Sequence, residues 1–198
     1  MSPPRRTHFA DEELRAALIA SAQQLISRDG PAALTMRSLA SEAGCAIGLP
    51  YKVFADRRQL VAEILHTEFA RLQAAFDELI SRAGTATVGA NLASFADLLF
   101  DSPAVALVPE VLADETLAKA GIHEAHRGGG GPATLEIALA DYLTAEKRTG
   151  RVDPGVDAAA FGFLLAGALH NLIVSGDAYP RPSRRQLNRW LSAAADRL

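Results

Sequence analysis

The stretch that decides the fold is TMRSLASEAGCAIGLPYKVFADRRQL, residues 35–60 of the chain. Thr35 is predicted to cap a short helix that ends at Gly44, because glycine readily adopts the positive φ of a helix C-terminus. A second short helix is predicted over residues 47–53, and a long helix begins after Asp56, which is a favourable N-cap residue. A helix, a glycine-containing turn and a second helix form the helix-turn-helix pattern, whose second helix enters the DNA major groove.

This stretch resembles the DNA-binding segment of the tetracycline-repressor (TetR) family of bacterial transcription regulators. The family pattern is T-x-x-x-L-A-x-x-A-G-V-S-x-G-x-x-Y-x-H-F-x-x-K-x-x-L. The residues of this chain that match it are Thr35, Leu39, Ala40, Ala43, Gly44, Gly48, Tyr51, Phe54 and Leu60. The specific part of the resemblance covers the first third of the chain, and length and helix order extend it more loosely over the rest.

Three differences from the family matter for the recognition helix. Ala46 replaces a capping serine, Val53 replaces a histidine, and Pro50 lies inside the short second helix. The helix is expected to tolerate Pro50 because the proline falls in its first turn, where the missing N–H has no partner within the helix.

The composition predicts an all-α protein, since alanine and leucine dominate and no run alternates apolar and polar residues as a strand does. Two domains are expected. Residues 1–56 form a three-helix DNA-binding domain with the helix-turn-helix, and residues 57–198 form a larger helical domain for effector binding and dimerisation. The helix that starts at Arg57 is predicted to continue to about Ser81, long enough to connect the two domains and act as a lever.

The charge distribution favours DNA binding at one end of the chain. The net charge of −3 argues against a protein that coats nucleic acid through a bulk positive field. Residues 1–60 hold eight Lys and Arg against six Asp and Glu, whereas residues 61–198 hold 12 against 17. A single cysteine, Cys45, and the lack of an apolar secretion signal lead us to expect a cytoplasmic protein.

The candidate DNA contacts lie on the two short helices and the start of the long one. Phosphate contacts are predicted from the side chains of Arg37, Tyr51 and Lys52, and the resemblance adds Arg57 at the family's lysine position. Thr35 stands at a helix N-terminus that favours an anion. Gly48 would permit close approach to DNA, and Ile47 and Leu49 offer only apolar contacts, for example with thymine methyl groups.

An effector pocket is predicted in the larger domain. Aromatic, leucine and histidine side chains from several helices could line one apolar cavity with a few polar tips: Phe76, Phe95, Leu99, Tyr142, Phe163 and His170. His123 and His126 lie one helical turn apart, but no third ligand accompanies them. We therefore expect no metal site and no cofactor.

A homodimer interface is predicted on the last two helices. Small residues on the penultimate helix, Ala159, Gly162 and Ala166, permit close helix approach. The final helix carries the stripe Leu187, Trp190, Leu191 and Ala194. Two helices from each subunit would form a four-helix bundle about a two-fold axis, although both stripes could instead pack within one subunit.

The resulting hypothesis is a dimeric DNA-binding regulator, most simply a repressor released from a palindromic operator by a small apolar or amphipathic effector. No catalytic motif supports an enzyme, and no catalytic residues are assigned. The alternatives are a helical carrier or interaction module without specific DNA binding, or a helical enzyme whose acid–base pair gives no sequence signal.

Overall fold

The computed structural model describes residues 5–119, 132–175 and 181–198. Within these ranges the regular elements are helical, which confirms the predicted all-α class. The main helices in chain order are α1 (Arg5–Asp29), α2 (Met36–Glu42), α3 (Gly48–Val53), α4 (Arg57–Ser81), α5 (Val88–Phe100), α6 (Pro103–Ala113), α7 (Pro132–Arg148), α8 (Ala158–Val174) and α9 (Arg184–Ala195), with a 3-10 turn at Pro31–Ala33 before α2.

Short polar side chains fix where most of these helices begin. In each case a side-chain oxygen accepts a hydrogen bond from a backbone N–H of the first turn, as Thr35 does from Ser38 at 3.0 Å. The residues that cap helices in this way are Thr35, Asp56, Thr87, Ser102, Asp157 and Ser183. Each such cap stabilises its helix by about 1 kcal/mol, which explains why local sequence predicts these helix starts well.

Helix α4 takes part in two hydrophobic cores. Its first half, from Leu60 to Leu65, packs with α1, α2 and α6 around the completely buried Leu39. Its second half, from Leu72 to Leu79, packs with α5, α7, α8 and α9. Phe69 lies between the two and contacts both cores. The predicted division after residue 56 stays a prediction, since α4 begins there but belongs to both cores.

Helices α1 and α6 each have one notable feature. Helix α1 is long, from Arg5 to Asp29, because no glycine or proline interrupts the chain between Arg5 and Gly30. Helix α6 runs through Pro109 without a break. The proline removes one backbone hydrogen bond, but the Ser102 cap and the burial of Leu107 stabilise the part of the helix that precedes it.

Among the described residues, no single helix has the length and apolar character to cross a membrane. Helices α5 and α6 reach that length and hydropathy only when taken together, and they are bent by 53° where they meet. The side chains of Leu92, Phe95 and Leu99 on α5 are buried inside the protein.

Candidate functional site

Helices α2 and α3 form a helix-turn-helix. Gly44 ends α2 with φ +63°, a conformation that other residues adopt only with strain. The chain then turns back, and the N–H of Cys45 donates to the carbonyl oxygen of Ala40 at 2.9 Å. Helix α3 follows after Ile47. This confirms the predicted order of helix, turn and helix.

Helix α3 has only six residues and is held in place by its neighbours. Pro50 is its third residue and is buried, so its ring packs inward while its missing N–H belongs to the first turn. At the other end, Arg15 of α1 donates to the carbonyl oxygen of Val53 at 3.2 Å and stacks on the ring of Phe54, 5.3 Å from its centroid. Thus α1 supports α3 from behind.

The outer side of α3 is free of other parts of the described structure. Ile47 and Tyr51 are 50% and 56% exposed, although both are large apolar or aromatic side chains. Gly48 and Lys52 are exposed as well, and Leu49 is half-buried. We call Ile47, Gly48, Tyr51 and Lys52 the outer face of α3. Such an unpacked surface on a helix-turn-helix is where DNA contacts are made.

The two residues predicted at the start of α2 differ in whether their side chains already have hydrogen-bond partners. Arg37 is exposed, and no hydrogen bond or ion pair ties it to the described part of the chain. The hydroxyl of Thr35 is already engaged, because it accepts from the N–H of Ser38 and lies 2.9 Å from the Ser38 hydroxyl. The side chain of Thr35 therefore serves as the N-cap of α2.

Arg57 was predicted to contact phosphate, but its side chain is engaged within the chain. Its guanidinium pairs with both oxygens of the Glu110 carboxylate, and its Nε donates to the carbonyl oxygen of Leu34 at 2.5 Å. The hydrogen bonds with Glu110 raise the pKa of Arg57 above its ordinary value. The side chain therefore joins the start of α4 to α6 and to the segment before α2.

Two further contacts attach α6 to the DNA-binding side of the protein. Arg58 pairs with Asp114, just past the end of α6, at 2.9 Å. At the beginning of α6, the hydroxyl of Ser102 donates to the buried carboxylate of Glu68 at 2.7 Å, and Gln23 of α1 donates to the same carboxylate at 2.8 Å. Helix α6 is thus tied to α4 at both ends, and Glu68 of α4 also connects its beginning to α1.

The six residues predicted to line an effector pocket divide between the core and the surface in the described part of the chain. Phe76, Phe95 and Leu99 are buried in the core, where the rings of the two phenylalanines lie 5.7 Å apart. Phe163 is 61% exposed on the outer side of α8, and His170 is half-buried on the same helix. Phe163 therefore lies apart from the buried members of the predicted set.

Tyr142, also predicted to line the pocket, takes part in a buried hydrogen-bond network. It is fully buried, its hydroxyl donates to the Glu146 carboxylate at 2.6 Å, and it accepts from the Asn91 amide at 3.1 Å. Burial, together with the hydrogen bond to Glu146, raises the pKa of Tyr142 well above its usual range. Glu146 also accepts from the N–H of Gly84 at 3.0 Å. This network holds the end of α4 against α5 and α7.

A cleft of about 250 Å³ lies where the end of α5, helix α6, the end of α8 and the start of α9 meet. Its walls are mostly apolar, and two arginines stand among its lining residues, which include Phe100, Val105, Pro109, Leu172, Ile173, Arg181 and Arg184. Sequence reasoning missed this cleft, because it is formed by helix ends that are distant in the chain. A smaller cleft of about 70 Å³ between α4 and α5 includes Phe95.

The residues predicted at the dimer interface divide into two groups. Ala159, Ala194 and Trp190 are exposed, and Trp190 is 52% exposed despite its size. The others face their own chain: Ala166, Leu187 and Leu191 belong to the core, and a Cβ on Gly162 would lie 2.9 Å from that of Ala140 on α7. These four are therefore corrected to packing within the subunit.

The outward side of α8 and α9 is nevertheless apolar. Phe163 and Leu164 are 61% and 62% exposed, and Gly167 and Ala168 continue the same exposed side of α8. We call the exposed set on these two helices the outer apolar face: Ala159, Phe163, Leu164, Gly167, Ala168, Trp190 and Ala194. Large exposed apolar patches commonly mark sites of association.

No group of three or more His, Cys, Asp or Glu that could hold a metal ion occurs in the ranges that the structure describes. The predicted histidine pair, His123 and His126, lies outside those ranges.

The geometry defines the class of protein as a helix-turn-helix DNA-binding protein with a second helical core. Residues 18–64 match the family model for bacterial regulatory proteins of the tetR family. None of the curated proteins compared with the chain matches it. The matched segment covers α2 and α3 together with the parts of α1 and α4 that support them.

Solved structures extend the likeness over nearly the whole chain. A TetR-family transcriptional regulator from Mesorhizobium loti shares 17% identity with a TM-score of 0.62, covering 94% of this chain and 95% of that one. The NemR protein of E. coli in its reduced form shares 12% identity with a TM-score of 0.65, covering 94% and 96%. The transcriptional regulator FadR from Bacillus subtilis, solved with stearoyl-CoA, shares 17% with a TM-score of 0.53, covering 91% and 95%.

The chain therefore has the DNA-binding domain and the fold of a TetR-family transcriptional regulator.

Proposed function

We propose that the protein is a cytoplasmic, homodimeric transcriptional repressor without enzymatic activity, released from a palindromic operator by a small apolar or amphipathic effector. The observation that carries this proposal is the outer face of α3. Tyr51 and Lys52 have no partner within the described chain, while α1 and the buried Pro50 hold the helix from behind. A short helix presented in this way is suited to the DNA major groove.

The proposed phosphate contacts come from Arg37, Tyr51 and Lys52. Their cationic and hydroxyl groups are exposed and are suited to phosphate oxygens. Thr35 stands next to them at the start of α2, and Ile47, Gly48 and Leu49 would face the floor of the groove. Arg57 is left out of the proposed contacts, because Glu110 and Leu34 occupy its donors.

The proposed dimer forms through the outer apolar face. Phe163 and Leu164 of one subunit would be covered by the same face of a second subunit around a two-fold axis. Trp190 adds a large side chain of the type enriched at the centre of interfaces. A two-fold axis places two α3 helices so that they bind half-sites about one DNA turn apart, or somewhat more, in a near-palindrome.

We propose the cleft between α5, α6, α8 and α9 as the effector site. Its apolar walls suit an apolar or amphipathic compound, and α6 supplies Val105 and Pro109 to it. The same helix carries Glu110, the partner of Arg57 at the start of α4. An effector that binds better to one position of α6 would shift α4 and the two α3 helices with it.

Capture of DNA fragments from the source genome tests the proposal. The full-length protein is incubated with sheared genomic DNA, and the bound fragments are sequenced. The proposal predicts enrichment of fragments that share one near-palindromic site. Absence of any enriched site in material that is folded and dimeric would support the carrier or interaction module instead.

A further inference from the structure

The beginning of α3 presents an apolar surface. Ala46, Ile47 and Gly48 are exposed in succession, and Ile47 is half-exposed although isoleucine is normally buried. A Cβ added to Gly48 would meet no atom within 4 Å, and its φ is not positive. The described structure therefore gives no internal reason for a glycine there, whereas close approach of another molecule does.

The apolar composition of this surface restricts which DNA bases the start of α3 can distinguish. Hydrogen-bonded recognition of guanine uses arginine or lysine, and recognition of adenine uses asparagine or glutamine. Residues 46–49 contain none of these types. Lys52 lies in the last turn of α3, whereas in helix-turn-helix proteins the first residues of the recognition helix contact base edges. The one major-groove feature that matches an apolar side chain is the 5-methyl group of thymine.

We propose that Ile47 recognises a thymine in each half-site through its 5-methyl group, and that this apolar contact supplies direct sequence discrimination at the start of α3. This inference rests on the proposed DNA-binding function, and it specifies the base that α3 recognises in each half-site. Gly48 lets the backbone approach the groove, so that the neighbouring isoleucine reaches the methyl group.

The expected effect follows from the area of one methyl group. Removing a methyl group from an apolar contact is expected to weaken binding about fourfold, or about fifteen-fold when both half-sites of a dimer site are changed. Replacing thymine by uracil makes this change alone, since the two bases have the same hydrogen-bonding groups.

The experiment begins with selection of a binding site from random DNA duplexes by the full-length protein. Each thymine of the half-site is then replaced by deoxyuridine in both symmetric positions, and affinity is measured by fluorescence anisotropy at constant salt. Wild type, Ile47→Ala and Ile137→Ala are compared. The last is a matched control, because Ile137 is similarly exposed, 59% against 50%, but lies on α7.

The inference predicts one thymine position at which uracil weakens wild type and Ile137→Ala about fifteen-fold, while Ile47→Ala binds both DNAs equally. It is overturned if uracil changes wild-type affinity less than twofold at every position, or if the loss is the same in Ile47→Ala. Both results leave the proposed function standing, because a specific site has been selected. Selection that yields no common site contradicts the proposed function as well.

Discussion

Arg57 and Glu110 join the first residue of α4 to α6 through two contacts between guanidinium and carboxylate. The side chains are 33% and 29% exposed, so the pair is partly shielded from water. Arg57 also donates to the carbonyl oxygens of Leu34 and Pro31, just before α2. One side chain thus connects the helix-turn-helix, the long helix and a wall of the proposed effector cleft.

Arg57→Ala is expected to lower the free energy of unfolding by about 1–2 kcal/mol, because Glu110 and two carbonyl oxygens lose their donors. The matched control is Arg58→Ala. Arg58 is more exposed, at 54%, and pairs with Asp114 at the surface, so its loss should be below about 1 kcal/mol. Urea unfolding of both variants gives the comparison. Equal losses would contradict a special role for Arg57.

Tyr142→Phe is expected to destabilise the protein by about 1–2 kcal/mol, because the buried Glu146 and Asn91 lose a hydrogen-bond partner. Its affinities for DNA and for effector should stay unchanged. Tyr51→Phe should show the opposite pattern. Because the hydroxyl of Tyr51 is exposed, its removal should lower DNA affinity and leave urea unfolding unchanged. If Tyr142→Phe instead changes effector binding in a protein of unaltered stability, Tyr142 belongs to the effector site.

Trp190→Glu is expected to weaken the dimer about 30-fold or more while the subunit stays folded, since truncating an interface tryptophan commonly costs about 2 kcal/mol or more. Sedimentation at micromolar concentration measures this, and circular dichroism checks folding. Leu112→Glu is the control, because Leu112 is equally exposed but lies on α6, outside the outer apolar face. A wild-type protein that sediments as a monomer at this concentration would exclude the proposed dimer.

Trp190 and its neighbour Leu191 are expected to respond differently to a charged substitution. Leu191 is buried in its own subunit, with 6% exposed. A charged residue there is therefore expected to unfold the larger core rather than release a folded monomer.

Val105→Trp is expected to fill part of the cleft and weaken binding of the amphipathic dye anilinonaphthalene sulfonate at least tenfold. Ile137→Trp adds the same side chain at an exposed position outside the cleft and should leave dye binding unchanged. Dye fluorescence is titrated for both variants, with urea midpoints as the folding check. Equal dye affinity in the two variants would remove the cleft as the binding site.

The helix-turn-helix could be predicted from sequence because its signals are local. The Thr35 cap, the positive φ of Gly44 and the Asp56 cap each act within a few residues, and each occurs as predicted. The start of α4 was also predicted correctly. The partner of Arg57 was not, since Glu110 is 53 residues away and nothing near Arg57 indicates it.

The helices that follow α4 show what sequence periodicity cannot predict. A period of 3.6 residues identifies side chains that share a stripe on a helix, but not which stripe faces inward. Leu191 and Trp190 were placed on one interface, yet the first is buried in its own core and the second is exposed. Phe163 was predicted in a pocket and lies outside for the same reason. Only the packing of α7, α8 and α9 decides between the two sides.

Contact between the outer face of α3 and DNA is the basis of the proposed function. It is tested most directly by the salt dependence of operator affinity in wild type, Lys52→Ala and the control Arg148→Ala, which removes an exposed arginine from α7 in the larger domain. Each lost phosphate contact should reduce the slope of log affinity against log salt by about 0.9, so the Lys52→Ala dimer should lose roughly two units. Arg148→Ala should keep the wild-type slope. An unchanged slope and affinity in Lys52→Ala would contradict the account.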